Sequence, residues 1–526
     1  MSRNIPIEGM LVELEARQQE GVLSAVPAIR IRKQNEQTVR AGRDYVLYWM
    51  IANRRLSYNF ALDRALEYCE SLQKPLLIFE ALRIDYQWAS DRLHRFVLDG
   101  MAENARECQE LQLRYFAYVE PVPGAGKGLL AAFAERACVI VTDEFPCFFL
   151  PRMVAGAARK MPVLLESVDS NGLLPIYATK QVALRAFDFR RFLQKELSTH
   201  LQEFPHANPL ETTKIAAGAE IPRVISRNWP AASQKLLSGE AGFLNALPID
   251  HSVKPAPLRG GHCSALAKMN EFFEKKLALY GKERNEPELD VASGFSPFLH
   301  FGHLSVHEVF AELARREKWK QEKLGLRSNG SREGWWNMSP SAESFLDELI
   351  TWREVGYNFA AHRADYDKFE SLPEWVKKTL AEHTKDERDH LYTLEEFEAA
   401  QTHDALWNAA QIQLVREGRI HNYLRMLWGK KILQWTRSPQ EAAEILIHLN
   451  NKYGLDGRNP NSYSGIFWVL GRYDRPWPPV RPVFGMIRYM SSENTARKVS
   501  VKKYIQKYAP DATARILKDC AKKAGN

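Results

Sequence analysis

No stretch of the 526-residue chain approaches the roughly 18 consecutive apolar residues that span a bilayer. The opening Met-Ser-Arg-Asn also lacks the basic-then-apolar layout of a secretory leader. The expectation is a soluble, cytoplasmic protein without a membrane partner. Cysteine is scarce. The six present (Cys69, Cys108, Cys138, Cys147, Cys263, Cys520) form no C-x-x-C pair. Neither a disulfide framework nor a metal site is therefore expected, and buried free thiols are. The chain has no repeat period and no low-complexity block. Gly-Ala-Gly-Lys-Gly at 124–128 fits neither glycine-rich phosphate-loop pattern, so a strand-to-helix turn is expected there.

What is present is the balance of a globular protein of several domains, 45% apolar and 26% charged. Two features are uneven. Lys plus Arg number 72 against 64 Asp plus Glu, a net +8, and residues 484–526 alone carry ten basic against three acidic residues, a net +7. A basic face of this kind suits a polyanion. Of the 13 tryptophans, ten lie from Trp319 onward.

Residues 1–42 are polar without a sustained period and are expected to form an arm, mobile or draped over the surface. From residue 43, short apolar runs (45–50, 75–79, 115–119, 138–142, 162–165) alternate with amphipathic stretches (57–72, 89–111, 127–137, 151–160). Such runs predict a parallel sheet covered on both faces, with right-handed crossovers. Residues 43–170 thus read as a doubly wound, Rossmann-like α/β domain, a type that binds ligands beyond the carboxyl ends of its strands. Residues 171–260, punctuated by Pro and Gly, predict a long inter-domain linker, and residues 261–526 a larger all-α domain.

Three patterns in the helical half are candidates for chemistry. Glu348 and Trp352 stand four apart on one helix face. A carboxylate beside an aromatic plate suits a planar ligand, although a surface Glu next to a core Trp reads equally well from this segment. Trp428 and Trp435 stand seven apart, about 10.5 Å along a helix, with Tyr423 and Met426 sharing a face; heptad aromatics also serve as plain core packing. Arg425 points elsewhere and needs a carboxylate if buried. Finally, Ser-Pro-Gln-Glu at 438–441 predicts a capped helix start. That helix runs to about residue 452, past Asn450, into a turn holding Asp456 and Asn461, with Trp468 beyond.

Read in order, Phe-Ser-Pro (295–297), Leu-His-Phe-Gly-His (299–303), Tyr-Thr-Leu-Glu-Glu-Phe-Glu (392–398), Thr-His-Asp-Ala-Leu-Trp-Asn (402–408), Leu-Asp-Gly-Arg (455–458) and Gly-Met-Ile-Arg-Tyr-Met (485–490) carry a resemblance. From about residue 43 to about 508 the chain resembles the class II cyclobutane pyrimidine dimer photolyases, light-driven flavoenzymes of DNA repair and carbon–carbon lyases. Each string is weak alone; order and spacing make the set specific.

The resemblance implies FAD, active as FADH⁻, in the helical domain. Tyr280 and Ala292, Ser293, Gly294, Phe295 and Ser296 would meet its phosphates and ribityl chain. Asn450 would face flavin N5, and Arg425 and Asp456 would pair beside the ring system. Trp407, Trp428 and Trp435 would form an electron relay for photoreduction. In the dimer pocket Glu348, protonated or sharing a proton, would bond a thymine edge. Trp352 and Trp468 would form an L-shaped wall, with Tyr423, Met426, Arg284 and Asn285 completing the pocket. Arg475 would enter the gap left in the duplex, and Arg488, Lys502 and Lys503 would contact DNA. The implied partner is dimer-containing DNA, with a monomer and no obligate protein partner. An antenna chromophore, a deazaflavin or a folate, is left open for the α/β domain. Two departures stand out. Residues 325–338, with Trp335 and Trp336, are longer than the family's usual connection, and the turn after Trp468 is about one residue short, which loosens the placement of Arg475.

Two rival readings compete. A cryptochrome-like photoreceptor would keep FAD and the relay but lose the repair pocket, whereas Glu348, Trp352, Trp468, Tyr423 and Met426 are all retained. A (6-4) repair enzyme needs a histidine at the lesion, where the pocket offers Tyr423 and Met426, with His421 close in sequence.

Overall fold

The computed structural model describes residues 26–216 and 218–509. Residues 1–25 of the expected arm and residues 510–526 of the basic tail, with Cys520, lie outside the described residues. Six strands, β1 (Ile31–Lys33), β2 (Tyr45–Met50), β3 (Leu76–Leu82), β4 (Arg114–Val119), β5 (Ala137–Asp143) and β6 (Leu165–Val168), form one sheet in the order β1-β6-β5-β2-β3-β4. All neighbours are parallel except β1, which runs antiparallel on β6. Every residue of β2 and β5 is buried. A sheet covered on both faces needs apolar side chains on both, so its strands read as unbroken apolar runs.

Alternate residues of these strands, Val46, Tyr48, Met50, Val139 and Val141, pack with Phe60, Leu62 and Leu66 of the helix Phe60–Leu72. Asn59 starts that helix by accepting from the backbone N–H groups of Ala61 and Leu62. Beyond β2, the Asp143 carboxylate accepts from the N–H groups of Ile51, Ala52 and Asn53 and from the Tyr48 hydroxyl. One buried carboxylate thus satisfies a turn that has no ladder partner.

Three expectations change. Within the expected arm, residues 31–33 form β1. The last strand is 165–168 rather than 162–165. The expected linker holds the 15-residue helix Ala186–His200 and four shorter ones. In the long helix Phe189, Leu193 and Leu197 are buried, a stripe spaced by one turn.

By their contacts the described residues form two compact units: one within residues 26–181, 190–271 and 294–339, the other within residues 182–189, 272–293 and 340–509. This partition differs from a boundary at residue 261, since residues 262–271 and 294–339 belong with the sheet. In the first unit Trp319 and Trp336 pack with Phe310, Trp335 stands edge-on to Trp336, and the Trp319 indole donates to the Trp336 carbonyl. The long connection at 325–338 is thereby a small aromatic core of its own. The second unit is helical. Ala405–Glu417, Asn422–Gln434, Pro439–Tyr453 and Pro460–Val469 surround a core that includes Trp407, Leu414, Leu424, Trp428, Leu446 and Phe467. Ser438 accepts from the Glu441 N–H, while the Glu441 carboxylate turns to the N–H of Arg437 instead of closing the expected box.

Among the described residues no helix is long and apolar enough to cross a membrane, and no His/Cys/Asp/Glu group could hold a metal ion. Cys69, Cys108, Cys138 and Cys147 are buried free thiols, while Cys263 is exposed.

Candidate active site

Glu348 and Trp352 lie in a single widened π-turn, Asp347–Trp352, between the α-helices Pro340–Leu346 and Arg353–His362. Such turns re-aim side chains that a regular helix would spread. Trp352 meets Trp468, at the end of Pro460–Val469, with ring centroids 5.7 Å apart and planes inclined by 61°. The two indoles thus meet edge to face. Both rings are partly exposed while Thr351, Phe467 and Val469 beside them are buried, so each indole keeps an open face. What brings the two helices this close is Gly356: a Cβ there would sit 2.9 Å from the Pro460 carbonyl oxygen and from Asn461 Cα.

The Glu348 carboxylate is bound by Arg284 Nη1. Burial alone would lower the Arg284 pKa, but the facing Glu348 charge carries it above its ordinary value. In this pair the guanidinium donates and the Glu348 carboxyl oxygen accepts. Tyr280, beneath Arg284, is buried against Phe272 and Phe345, and burial raises its phenol well above the usual value. Asn285 is exposed. The run at residues 292–296 is irregular chain up to the helix Ser296–Phe301, with Gly294 at φ 73°.

Arg425 supplies a second charged pair. Its Nη1 and Nη2 reach the two Asp456 oxygens at 3.0 and 2.9 Å, the carboxylate the sequence demanded. Nη2 also reaches Asn450 Oδ1 at 2.5 Å, and Asn450 Nδ2 donates to Ser462 Oγ at 2.7 Å. The carboxamide and guanidinium are thus held in fixed orientation, with a quarter of the Arg425 side chain left exposed. An oriented cation and carboxamide at the open edge of an apolar helix cluster fit the polar rim of a flavin ring system.

The three relay candidates meet in the core. Trp407 lies parallel to Trp428, with centroids 6.5 Å apart and a 7° angle, and edge-on to Trp435 at 6.0 Å. Trp407 is the middle member, which spacing along a single helix could not reveal. The three are 0–2% exposed. The Trp407 indole N–H donates to the Trp428 carbonyl, and that of Trp428 to Gln411 Oε1.

Tyr423 and Met426 are half-buried at the edge of the core. Tyr423 also lines a cavity of about 270 Å³ shared with Trp477, Arg481, Arg488, Tyr489 and Lys498. Its three cations meet no acidic lining residue. Arg475 and Arg488 lie 4.4 and 5.2 Å from the Trp477 ring, a basic and aromatic mixture suited to nucleic acid. Lys502 and Lys503 are exposed on Lys502–Lys507. His421 is buried at the start of Asn422–Gln434, and burial pushes its pKa down to about 4.

Sequence reasoning missed Ser462, which no spacing ties to Asn450, and Lys430. The Lys430 ammonium is buried and donates to the Val469 carbonyl, next to Trp468. Burial lowers its pKa to about 7. A lysine inside an apolar helix stretch was the available signal. Gly429 permits this approach, since a Cβ there would meet Val469 Cγ1 at 2.9 Å.

No protein-family model matches the chain. A relative from Methanothermobacter thermautotrophicus named deoxyribodipyrimidine photo-lyase is 32% identical over 488 residues, covering 92% of this chain and 98% of its own. Relatives of the same name come from Potorous tridactylus, 32% identical over 88% of this chain and 81% of theirs, and Oryza sativa subsp. japonica, 33% identical over 88% and 86%. In fold, the chain is similar to a bacterial class III photolyase from Agrobacterium tumefaciens, with TM-score 0.65, 17% identity and coverage of 89% and 87%. It is likewise similar to a Synechocystis cryptochrome, with TM-score 0.61, 14% identity and 89% of each chain covered. At one-third identity along nearly its whole length, the chain belongs to the deoxyribodipyrimidine photo-lyase family.

Proposed function

We propose that the protein splits cyclobutane pyrimidine dimers in DNA under blue or near-UV light. The observation that carries this reading is the open-faced Trp352–Trp468 corner with the Glu348–Arg284 pair beside it. Enzymes that act on a base take it out of the stack, photolyases among them, and a lesion with broken pairing leaves at lower cost. The corner offers two aromatic faces to two joined pyrimidines, and Glu348 accepts from a pyrimidine N–H. Asn450, Arg425 and Asp456 would hold FAD, with Tyr280, Ala292 and Ser293 at its phosphates, as the resemblance implies. Bound reduced FAD supplies, under light, the electron that opens the cyclobutane ring and takes it back. The protein orients both partners and fixes the charges around them.

Trp428, Trp407 and Trp435 are the route by which electrons enter for photoreduction. Trp428→Phe should retain flavin and photoreduce poorly; unchanged photoreduction would point to another route. Arg475, Arg488, Lys502 and Lys503 would grip phosphates of the DNA strand. A monomer, a cytoplasmic location and an antenna chromophore of deazaflavin or folate type in the α/β unit belong to the same proposal. The absorbance of protein purified from its native source tests the last. The deciding experiment incubates photoreduced protein with dimer-containing DNA under blue light and counts restored thymines. Bound, fully reduced flavin with no restoration would sink the repair reading in favour of a photoreceptor.

A further inference from the structure

One helix face clamps the inner end of the tryptophan line. Trp407 and Gln411 stand four apart on Ala405–Glu417 and so share a face, and both reach Trp428 of Asn422–Gln434. The Trp407 ring lies parallel to that of Trp428, with centroids 6.5 Å apart, and its N–H donates to the Trp428 carbonyl at 3.0 Å. Gln411 Oε1 accepts from the Trp428 indole N–H at 2.9 Å. An indole nitrogen only donates, so the carboxamide has to turn its oxygen to the ring. Gln411 is 0% exposed, and its Nε2 has no hydrogen-bond partner among the described residues. A buried donor left unmet works against stability, so the fold gains little from this amide and the indole nitrogen is where it acts. What it places there is a very weak base. An indole that has lost one electron is an acid comparable with a carboxylic acid, whereas an amide oxygen takes a proton only from far stronger acids. The Trp407 N–H likewise meets an amide oxygen, that of the Trp428 peptide. With both N–H groups committed, neither inner ring has a base to which its proton can pass.

We propose that Gln411 is a positioning residue of the electron line: it keeps the proton on the Trp428 nitrogen while that ring carries positive charge, so that the charge moves on instead of being trapped. The inference rests on the proposed entry of electrons through these tryptophans, since light-driven reduction of the bound flavin is what takes an electron from Trp428. One electron then passes from Trp407 to the Trp428 radical cation. Trp428 returns to the neutral indole and Trp407 becomes the radical cation. A further electron passes from Trp435 to Trp407, between rings 6.0 Å apart. No N–H bond breaks at either inner ring, so each step moves an electron alone. Had the proton left Trp428, the product would be a neutral indolyl radical, a weaker oxidant than the cation. Trp407 could then refill it only once the same proton came back.

The test puts a base at the same spot. Flavin-loaded protein receives a blue flash and is read by transient absorption, in which the radical cation and the neutral radical of an indole have distinct visible bands. This readout reports radicals whether or not the protein repairs DNA. Gln411→Glu keeps the shape of the side chain. Its protonated carboxyl still offers a carbonyl oxygen, while its carboxylate takes the Trp428 proton, giving a neutral Trp428 radical and a carboxylic acid. At low pH this variant should conduct as the parent does. As pH rises past its carboxyl value, which burial sets above the ordinary one, the neutral Trp428 radical should appear. The yield of oxidised Trp435 should then fall by about tenfold, the equilibrium worth of one pKa unit between acid and base. Gln411→Met brings no base and should show no neutral Trp428 radical at any pH. In the parent, the step from Trp407 to Trp428 should run at the same rate in D₂O. Parental conduction by Gln411→Glu at every pH, equal losses in the two variants, or a D₂O effect on that parental step would each overturn the proposal. The isotope measurement decides the matter even if a variant does not fold. Unchanged photoreduction in Trp428→Phe would remove the line and this inference together, whereas poor photoreduction there with parental behaviour in Gln411→Glu would remove this inference alone.

Discussion

The helical unit uses tryptophan in two regions that differ in one respect, whether a ring face is left open. At the corner, Trp352 and Trp468 are inclined at 61° and partly exposed. In the line, Trp428, Trp407 and Trp435 are 0–2% exposed and packed on every side. An open face is surface that a planar ligand can cover; a closed one can give or take only an electron. Within the line, the indole N–H groups of Trp407 and Trp428 donate to neutral acceptors of the protein. Placement, more than residue type, separates binding from conduction.

The comparison fails if the two regions respond alike to truncation. Trp407→Ala should cost about 3–5 kcal/mol, as for other buried aromatics, while Trp468→Ala should cost about 1–2 kcal/mol for a ring already partly exposed. Urea midpoints of the two variants check this, and equal losses would dissolve the distinction. Lys430 lies where the regions meet and gives the next effect. Its folded pKa of about 7 is below the usual 10.5, so between these values the unfolded chain holds a proton that the folded one releases. Stability should therefore rise with pH across that window, by up to about 1.4 kcal/mol per pH unit. Lys430→Met should flatten the rise in a series of urea titrations, less the cost of leaving the Val469 carbonyl without its donor.

Glu348→Ala tests the binding side alone. Loss of a charge-assisted hydrogen bond worth about 1.5–3 kcal/mol should lower repair yield roughly 10- to 100-fold, with the flavin spectrum unchanged. A large flavin shift would place Glu348 at the cofactor instead. Smallest is Arg488→Ala, which should weaken DNA binding almost uniformly across sequences and reduce the salt slope by about 1. An unchanged slope would remove Arg488 from the phosphate contacts.

Legibility in the sequence followed how local each constraint is. The strands β2 to β5 were readable because burial on both faces leaves nothing polar in a run such as Tyr45–Met50. Strand β1 was not, since three residues, two of them exposed, carry no pattern and owe their form to β6. The helix Ala186–His200 carried a legible stripe that the surrounding prolines and glycines outweighed. At the site, the corner pair and the Arg425–Asp456 pair came from the resemblance and are now seen in contact. The central place of Trp407 and the bond from Asn450 to Ser462 depend on how separate helices cross, which no single segment records.

The two close helix contacts at Gly356 and Gly429 bound the geometry from one side only. Glycine is the smallest residue, so every substitution there drives the helices apart and none can draw them closer. The spacing of the Trp352–Trp468 corner is therefore at its minimum for this fold, and variation at these positions can only widen it. A lineage or a designer seeking a roomier pocket has single-residue routes to it, whereas a narrower one would demand larger side chains on the walls themselves.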